Sequence, residues 1–354
     1  MPSVHVVGSL NADQLLEVPS FPGAGETVLG SGMRISAGGK GGNQAVAAAR
    51  AGAATAMIGA IGDDAHGRLV RDALASAGVD TGPVRTTADA PTGLAVVMLE
   101  PGGDNRIIVT PGANASLTEA DAEAGLAAVG PGDVVLLQLE IPAPVVAHAA
   151  RTARARGARV VLNAAPAPTD PGCLTPGGLD VLVVNEPEAE AVARLLGLPG
   201  HAASPEERAL ALSAALDALV VCTLGARGAC AARSGSGRTA LHVPALPVVP
   251  VDTTAAGDTF TGYLAAALAE GVDDLAAALR RAAAAAALAV TRGGAMTSIP
   301  ERREVLRADD CSRPTPGNAG TSHHAGTLGA PETPDTLDTP GPTTSATLSH
   351  SLKD

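Results

Sequence analysis

The sequence predicts an α/β protein with a doubly wound, mostly parallel sheet flanked by helices and a small antiparallel β lid. Three observations favour this class. Short β-branched runs alternate with Ala-rich helical runs as far as about residue 306. The strand-like runs are apolar throughout, as buried parallel strands are. Two regions, at about 14–37 and 92–110, instead alternate polar and apolar residues around Pro and Gly turns.

The predicted parallel strands share an apolar centre. They are VHVVG (4–8), VVLLQLE (134–140), RVVLNAA (159–165), DVLVVNE (180–186) and ALVVCTLG (218–225). Between strands lie predicted helices such as GGNQAVAAARAGA, AHGRLVRDALASAG, PAPVVAHAARTARARG and EPEAEAVARLLG. This βαβ alternation predicts helices on both faces of the sheet. The two alternating regions have no helix between their strands, which favours antiparallel pairing in a separate lid.

The composition of the chain changes at about residue 307. Pro, Thr, Ser and Gly dominate residues 307–354, and no apolar periodicity continues there. Such a segment buries too little apolar surface to offset the entropy of ordering it. We therefore predict one globular domain over residues 1–306 and a disordered tail over residues 307–354.

Composition and charge exclude several classes of partner. The formal net charge of −12 disfavours nucleic acid and anionic membrane surfaces, and an aromatic content of 1% removes the stacking platforms of single-strand binders. The longest apolar run, residues 282–290, is too short to cross a membrane. The N-terminus has no signal-peptide pattern, and the four cysteines show no CxxC spacing. These features predict a cytoplasmic protein with reduced thiols.

Polar side chains follow the predicted strands at the points where the strands end. They are Asn11 and Asp13 after the first strand, and Glu140, Asn163, Asn185 and Thr223 after the later ones. A single residue of this kind is more often a turn residue or a helix cap. Five strand ends together favour a polar cleft, because ligands of open α/β sheets bind beyond the carboxyl ends of the strands.

A glycine-rich element, AGGKGGNQAVAAA (37–49), surrounds Lys40. It matches neither the phosphate-binding GxxxxGK[ST] loop nor the dinucleotide GxGxxG fingerprint, which disfavours a nicotinamide oxidoreductase. We expect its bare backbone to approach a small polar ligand. Arg34 is the only other basic residue nearby in the sequence, so an uncharged sugar or nucleoside fits better than a sugar phosphate.

The stretch VDTTAAGDTFTG (251–262) places two carboxylates around a run of small residues. If a helix begins here, the N–H groups of Ala255, Ala256 and Gly257 favour an anion. Asp258 can then accept the proton of a hydroxyl that attacks a phosphoryl group. Alternatively, Asp252 and Asp258 are helix caps. The stretch by itself leaves both interpretations open.

A series of short segments carries a family resemblance. The segments are GSLNAD (8–13), FPGAGET (21–27), GGKGGNQAVAAAR (38–50), GDD (62–64), GAN (112–114), QLE (138–140), LNAAPA (162–167), VNEPEAE (184–190), TLGARG (223–228), VDTTAAGDTFTG (251–262) and AVTRGGA (289–295). In this order and spacing they resemble the ribokinase/PfkB carbohydrate kinase family from residue 4 to about residue 300. The resemblance implies a ribokinase-like fold and ATP-dependent phosphorylation of the 5-hydroxyl of D-ribose, in ribose catabolism.

The resemblance also implies roles for individual residues. Asp258 would be the catalytic base, and the N–H groups of Ala255, Ala256 and Gly257 would form an anion hole. The residues that would bind the sugar are Asn11, Asp13, Gly39, Lys40, Asn43, Glu140 and Asp258. Asn185 and Glu188 would organise magnesium and phosphate through water. Thr223, Gly225, Gly228 and Gly257 would contact ATP.

A cation site and an assembly follow from the same resemblance. Asp252 and Thr254 would begin a loop for a monovalent cation, usually potassium. The loop would be completed near Ala289, Arg292, Gly294 and Ser298. The implied cofactors are therefore ATP, Mg²⁺ and K⁺. Paired lids would form a homodimer.

Two positions depart from the family pattern. Ala164 replaces a proline in the segment LNAAP, and Ala282 replaces a residue that is often polar near the nucleotide. The alternatives that stay open are a kinase for fructose, deoxyribose or adenosine, and a non-catalytic sugar-binding protein on the same fold.

Overall fold

The structure is a computed structural model, and it describes residues 2–102, 104–198, 204–235, 240–272 and 274–312. Most of the predicted tail lies outside these residues. The strands are β1 (Ser3–Val7), β2 (Asn11–Glu17), β3 (Gly32–Gly38), β4 (Ala54–Gly62), β5 (Val84–Thr87), β6 (Gly93–Leu99), β7 (Asn105–Thr110), β8 (Val134–Leu137), β9 (Arg159–Asn163), β10 (Val181–Asn185), β11 (Leu219–Thr223), β12 (Ala229–Ala232) and β13 (Leu241–Val243). The helices are α1 (Lys40–Arg50), α2 (Ala65–Ser76), α3 (Glu119–Gly125), α4 (Ala143–Ala155), α5 (Glu186–Leu195), α6 (Pro205–Leu216), α7 (Ala256–Ala269), α8 (Leu275–Ala289) and α9 (Arg302–Ser312).

The main sheet has nine strands in the order β13-β12-β11-β10-β9-β8-β1-β4-β5. Every neighbouring pair from β11 to β5 is parallel, whereas β12 and β13 pair antiparallel at one edge. The order reverses direction at β1, so helices cover both faces. This confirms the predicted doubly wound, mostly parallel sheet.

Each face of the main sheet carries its own hydrophobic core. Val134 and Leu136 of β8 belong to the core beneath α1, α7 and α8. Val135 and Leu137 point to the opposite face, where α3 to α6 cover them. This follows from the two-residue period of a strand. Because aromatics are scarce, small side chains fill these cores and the helices lie close to the sheet and to one another.

The lid is a separate four-stranded sheet in the order β3-β2-β6-β7. Its outer pairs, β2–β3 and β6–β7, are antiparallel as predicted, but the central pair β2–β6 is parallel, with Asn11 opposite Gly93 and Glu17 opposite Leu99. Only three residues separate the end of β1 at Val7 from the start of β2 at Asn11. Asn11 and Asp13 are therefore lid residues that start beside the main sheet.

Two C-terminal helices test predictions made from the sequence. The apolar run at 282–290 lies in α8 except for its last residue, which caps the helix, and no helix in the described part of the chain has the length and hydropathy to span a membrane. The helix α9 continues past the predicted domain boundary at residue 306 to Ser312, and the tail itself stays a prediction. Buried Val305 and an ion pair between Glu304 and Arg292 hold α9 against the domain. These contacts join α9 to other parts of the domain, and the local sequence pattern of so short a helix does not indicate them.

Candidate active site

A polar cleft of about 230 Å³ lies at the carboxyl ends of the parallel strands. The strand ends Asn163, Asn185 and Thr223 line it, as predicted. Lys40 and Asp258 reach it from the first turns of α1 and α7. The full set of lining residues is Lys40, Asn163, Ala165, Val183, Val184, Asn185, Glu188, Thr223, Thr253, Ala255, Ala256, Gly257, Asp258 and Thr261. Three strands and the N-termini of three helices, α1, α5 and α7, thus converge on one site.

The carboxylate of Asp258 is held by two side-chain amides. Asn43 Nδ2 donates to Oδ2 at 2.9 Å, and Gln44 Nε2 donates to Oδ1 at 2.9 Å. Asp258 is only 7% exposed, but it still lines the cleft. A carboxylate oxygen can accept more than one hydrogen bond. The group is therefore fixed in place and retains accepting capacity toward the cleft, which suits a general base.

Lys40 is surrounded by acidic groups. Asp258 above all, followed by Glu140 and Glu188, raises the pKa of the Lys40 ammonium, although burial acts in the opposite direction. The backbone N–H of Lys40 donates to Glu140 Oε2 at 3.1 Å, and the same oxygen accepts from Ser9 Oγ at 2.6 Å. The ammonium therefore remains charged at neutral pH and offsets part of the negative charge of the site.

Asp13 faces the same acidic cluster from the lid. Burial, and then the charges of Glu140 and Asp258, raise the pKa of Asp13 to about 7. Desolvation and like charges both disfavour the ionised form of a carboxyl group. At neutral pH this carboxyl is therefore close to half-protonated, and it can both donate and accept hydrogen bonds.

Asn11 is oriented by the GAN segment. Its Oδ1 accepts from Asn114 Nδ2 at 2.8 Å. Asn114 in turn exchanges hydrogen bonds with the backbone of Leu10, accepting from its N–H at 2.8 Å and donating to its carbonyl at 3.1 Å. The amide nitrogen of Asn11 is thereby turned away from Asn114. GAN is one of the segments that carry the family resemblance, and its Asn supports the turn that contains Leu10 and Asn11.

The glycines around Lys40 lie close to other parts of the protein's own chain. A side chain at Gly39, where φ is 87°, would stand 2.7 Å from the backbone nitrogen of Asn11, and one at Gly41 would stand 2.6 Å from that of Ser9. A side chain at Gly38 would stand 1.9 Å from Asp13 Oδ2. The bare backbone of this loop therefore makes room for the protein's own β1–β2 turn. Its glycines shape the site by bringing Lys40 close to that turn.

The N-terminus of α7 has the open backbone predicted from VDTTAAGDTFTG. Ala255 adopts the left-handed conformation at φ 58°, which is uncommon for a residue with a side chain. A side chain at Gly257 would meet no atom within 4 Å. The N–H of Ala256 donates to the carbonyl of Thr253 at 3.3 Å, whereas those of Ala255 and Gly257 have no acceptor among the described residues. Two of the three predicted donors are therefore available in this conformation.

Asn185 and Glu188 form a capping box at the start of α5. Asn185 Oδ1 accepts from the N–H of Glu188 at 2.8 Å, and Glu188 Oε2 accepts from the N–H of Asn185 at 2.9 Å. Burial and the charge of Asp258 raise the pKa of Glu188, and the Asn185 N–H and Lys40 partly oppose this. Both residues line the cleft. Asn185 and Glu188 thus cap α5 and are also the residues predicted to organise magnesium and phosphate through water.

The two loops predicted to hold a monovalent cation are joined by Asp252. Its Oδ1 accepts from the N–H of Thr254 at 2.9 Å, and its Oδ2 accepts from the N–H of Gly294 at 2.9 Å. Other predicted members are engaged nearby: Arg292 pairs with Glu304, its N–H bonds the carbonyl of Ala289, and Ser298 Oγ donates to the carbonyl of Ala295. The structure brings the two segments together through Asp252.

The predicted nucleotide residues divide into two groups. Thr223 lines the cleft, whereas Gly225 and Gly228 lie in the turn after β11 and outside the cleft lining. A side chain at Gly228 would stand 2.0 Å from the carbonyl oxygen of Val243, so its glycine serves the β11–β12 turn. Ala282 is a fully buried residue of α8, which places it in the core rather than in the cleft lining.

Gln44 is a site residue that reasoning from the sequence missed. It is fully buried and contacts the predicted base, although it follows Asn43 in an otherwise Ala-rich helix. The available signal was its position: the apolar run after it predicts a buried helix face, and a buried amide requires partners. The sequence could not identify those partners.

Comparisons with known proteins agree with this arrangement. Residues 1–302 match the sequence profile described as pfkB family carbohydrate kinase. The chain belongs to this family. It is 39% identical over 310 residues to the ribokinase of Haemophilus influenzae, covering 86% of this chain and 97% of the relative. It is also 39% identical over 308 residues to the ribokinase of Bacillus subtilis, covering 86% of this chain and 98% of the relative.

A solved structure extends the comparison to the fold. The structure of Arabidopsis thaliana ribokinase complexed with ribose and ATP aligns with a TM-score of 0.76 and 36% identity. The alignment covers 87% of this chain and 98% of that protein. This pfkB family chain therefore has the ribokinase-like fold, with its large parallel sheet and its small lid sheet, as the sequence predicted.

Proposed function

We propose that this pfkB family kinase transfers the γ-phosphoryl group of ATP to the 5-hydroxyl of D-ribose, giving D-ribose 5-phosphate and ADP. One observation carries the proposal: Asp258, held by Asn43 and Gln44, lies at the start of α7 beside Lys40 and the uncovered backbone of Gly257. A base, a cation and anion-binding donors are thus grouped where a hydroxyl and a phosphoryl group can meet.

The chemistry needs one proton transfer and one stabilised anion. As the sugar oxygen bonds to phosphorus, the bond from phosphorus to the β,γ-bridging oxygen of ATP breaks, and Asp258 takes the hydroxyl proton. The N–H groups of Ala255 and Gly257 lie at the positive end of the α7 dipole, where they stabilise charge on the transferring phosphoryl oxygens. Ala256 can add its donor if its long bond to Thr253 opens.

The charge of the sugar pocket favours a neutral substrate. The pocket brings together the carboxyl groups of Asp13, Glu140 and Asp258. The positive charge of Lys40 offsets part of their negative charge. A sugar that already carries a phosphate would be repelled by this cluster. Carboxyl and amide groups with fixed orientation are suited to sugar hydroxyls, which both donate and accept hydrogen bonds. We assign sugar binding to Asn11, Asp13, Gly39, Lys40, Asn43 and Glu140.

The donor set fits the two cations that the family implies. Asn185 and Glu188 would hold Mg²⁺ through water, because hard cations prefer oxygen ligands and Mg²⁺ keeps several of its waters. When bound, Mg²⁺ supplies positive charge that offsets the charge of the phosphates. Asp252 and Thr254, with the segment from Ala289 to Ser298, would hold K⁺. Thr223 and the turn at Gly225 and Gly228 would contact the nucleotide.

The lid is proposed as the surface that joins two copies of the chain. One lid face exposes Met33, Ile35 and Ile108, with exposed fractions of 61%, 41% and 58%. Exposed apolar patches on a sheet mark interaction surfaces, since water contact there is unfavourable. A second copy of this lid would cover them. Sedimentation of the wild-type protein beside an Ile108→Lys variant tests this.

A steady-state assay tests the proposed reaction. Wild-type protein is assayed with ATP and Mg²⁺ on ribose, deoxyribose, fructose and adenosine, with K⁺ or choline as the monovalent cation. Ribose should give the highest kcat/KM, and K⁺ should raise kcat. The Asp258→Asn variant should lose about 10²- to 10⁴-fold in kcat with little change in KM, as expected for a general base.

Each open alternative has its own outcome in this assay. A higher kcat/KM for fructose, deoxyribose or adenosine would replace ribose as the substrate. Sugar binding without turnover would make the chain a non-catalytic binder, although both Asp258 and Gly257, whose loss would signal such a protein, are present. Unchanged turnover in Asp258→Asn would reject the assignment of the base.

A further inference from the structure

Gln44 lies behind the cleft, outside the set of residues that line it. Its side chain is fully buried, and it is absent from the cleft lining. Its Nε2 donates to Asp258 Oδ1 at 2.9 Å and to Asn163 Oδ1 at 3.0 Å. Its Oε1 accepts from Gln138 Nε2 at 2.7 Å. Both amide hydrogens and the carbonyl oxygen are therefore used.

The orientation of this amide is set by the backbone of the main sheet. Asn163 Nδ2 donates to the carbonyl of Val183 in β10 at 3.2 Å, so its Oδ1 must face Gln44. Gln44 must then present Nε2 to Asn163, and the same nitrogen faces Asp258. A reversed Gln44 amide would oppose oxygen to oxygen at both contacts and nitrogen to nitrogen at Gln138. The backbone carbonyl of Val183 thus determines that Asp258 Oδ1 faces the amide nitrogen of Gln44 and not its oxygen.

The charged groups around Asp258 make a neutral donor useful. Asp13 on β2 and Glu188 on α5 repel its negative charge, and Glu140 after β8 adds to the acidic surroundings. Lys40 on α1 is the opposing cation. Burial also disfavours a charged carboxylate unless hydrogen bonds compensate it. The amides of Asn43 and Gln44 supply such bonds, one to each oxygen.

We propose that Gln44 is a positioning residue that keeps Asp258 in its proton-accepting form, through an amide chain running from Val183 via Asn163 to the base. The proposal rests on the proposed function, because it assigns Asp258 as the base. Gln44 can only donate to Oδ1, so a proton on that oxygen would lose this bond and clash with the amide. The chain therefore favours the ionised, correctly turned carboxylate before substrate arrives.

Two substitutions separate this role from packing alone. Gln44→Met keeps the size but removes both donors, so kcat should fall about 10- to 100-fold with KM for the sugar little changed. The acidic limb of its kcat profile should move up by about one pH unit, the scale of one lost bond to a charged group. Gln44→Glu keeps the shape but places a second carboxyl against Asp258, and adjacent carboxyls share a proton. Its kcat should be low at neutral pH and recover as the pH rises.

Gln14→Met is the matched control, because Gln14 is a lid residue whose amide contacts only Met33 Sδ among the described residues. It should leave the pH profile unchanged. Circular dichroism and melting curves verify that all variants fold. Wild-type kcat and pH profile in Gln44→Met would overturn the proposal, as would a folded Gln44→Glu protein whose kcat stays low at every pH.

A second readout keeps the inference separate from the proposed reaction. The ¹³C carboxyl resonance of Asp258, assigned with Asp258→Asn, is titrated in wild-type and Gln44→Met protein. Its midpoint should move to higher pH in the variant. Failure of wild-type protein to phosphorylate any sugar would reject the proposed function, whereas an unmoved carboxyl titration would reject the role of Gln44.

Discussion

The side-chain amide of Asn43 donates to Oδ2 of Asp258 at 2.9 Å and thereby joins the first turn of α1 to the first turn of α7. These residues are 215 positions apart in the sequence. The helices can meet because a side chain at Gly262 of α7 would stand only 2.5 Å from Ala47 Cβ of α1. The small residues of the helix pair therefore determine the distance between the base and its amide partner.

Two glycines of α7 should respond oppositely to alanine. Gly262→Ala should destabilise the fold by about 1–3 kcal/mol, because the new methyl group overlaps α1. Gly257→Ala should be neutral or stabilising by up to about 1 kcal/mol, since alanine favours helix and nothing lies within 4 Å of its methyl group. Its kcat should nevertheless fall, because the methyl group occupies the proposed phosphoryl site.

Denaturant melts and kcat measurements on both variants check this. Gly130→Ala is a control outside the site, at a glycine that is also open to a side chain. Full activity in Gly257→Ala would remove the phosphoryl site from the α7 N-terminus. A stable Gly262→Ala would show that α1 and α7 can separate without cost.

Asp13 should make stability depend on pH. Its pKa of about 7 in the folded protein lies above the ordinary value of 3.8, so the folded state holds the proton more tightly than the unfolded state does. Stability from this group is complete below about pH 4 and is lost as the pH rises through 7. Asp13→Asn should therefore be more stable than wild type above pH 7, by about 1–3 kcal/mol.

The expected gap between Asp13→Asn and wild type closes below about pH 4. Thermal melts at pH 4, 6 and 8 measure it, with exposed Asp72→Asn as the control. KM for the sugar should rise in Asp13→Asn, because Asp13 is a proposed sugar-binding residue. A group placed for binding is often a local liability for stability, so the two effects should occur together. A gap that does not change with pH would contradict the elevated pKa.

Asp252 should contribute both to the K⁺ dependence of activity and to the stability of the two loops that it joins. Burial acts to raise its pKa, but the hydroxyl of Thr254 and the N–H groups of Gly294 and Thr254 together lower it below its usual range. Asp252→Ala should cost about 1–2 kcal/mol through these lost bonds. The K⁺ concentration for half-maximal activity should rise about tenfold, the scale seen when groups that orient a metal site are removed.

Activity measured against K⁺ at constant ionic strength checks this expectation for Asp252. Arg280→Ala, which removes an exposed ion pair with Asp274 on α8, is the matched control and should leave the K⁺ response unchanged. Wild-type activity that is independent of K⁺ would reject the cation site itself. An unchanged K⁺ response in Asp252→Ala would reject the role of Asp252.

Residues after Ser312 should be dispensable for activity, whereas the helix α9 should be needed for stability. A chain ending at residue 312 should keep wild-type kcat, because every predicted site residue precedes residue 299. A chain ending at residue 301 loses the burial of Val305 and the Arg302–Glu270 ion pair. Burying one valine contributes about 1.5–3 kcal/mol, so its melting temperature should fall clearly. Kinetic assays and melts of both truncations measure this, and reduced kcat in the longer one would give the tail a catalytic role.

The strand pattern was enough to predict the sheet and its binding edge. The runs at 159–165, 180–186 and 218–225 contain β9, β10 and β11, and their polar ends Asn163, Asn185 and Thr223 line one cleft. This succeeds because buried parallel strands are apolar on both faces and share one direction, so their ends must meet. The sequence pattern did not indicate α9, which crosses the predicted boundary between domain and tail, because contacts with distant residues stabilise this helix.

The sequence by itself determined the fold class, the family and the candidate base Asp258, because local patterns and short motifs encode them. Only the tertiary structure showed that the glycines beside Lys40 accommodate the chain's own β1–β2 turn, whereas Gly257 faces open space. It alone also found Gln44 and the parallel pairing of β2 with β6. These features depend on which distant segments lie side by side, and local periodicity carries no record of that.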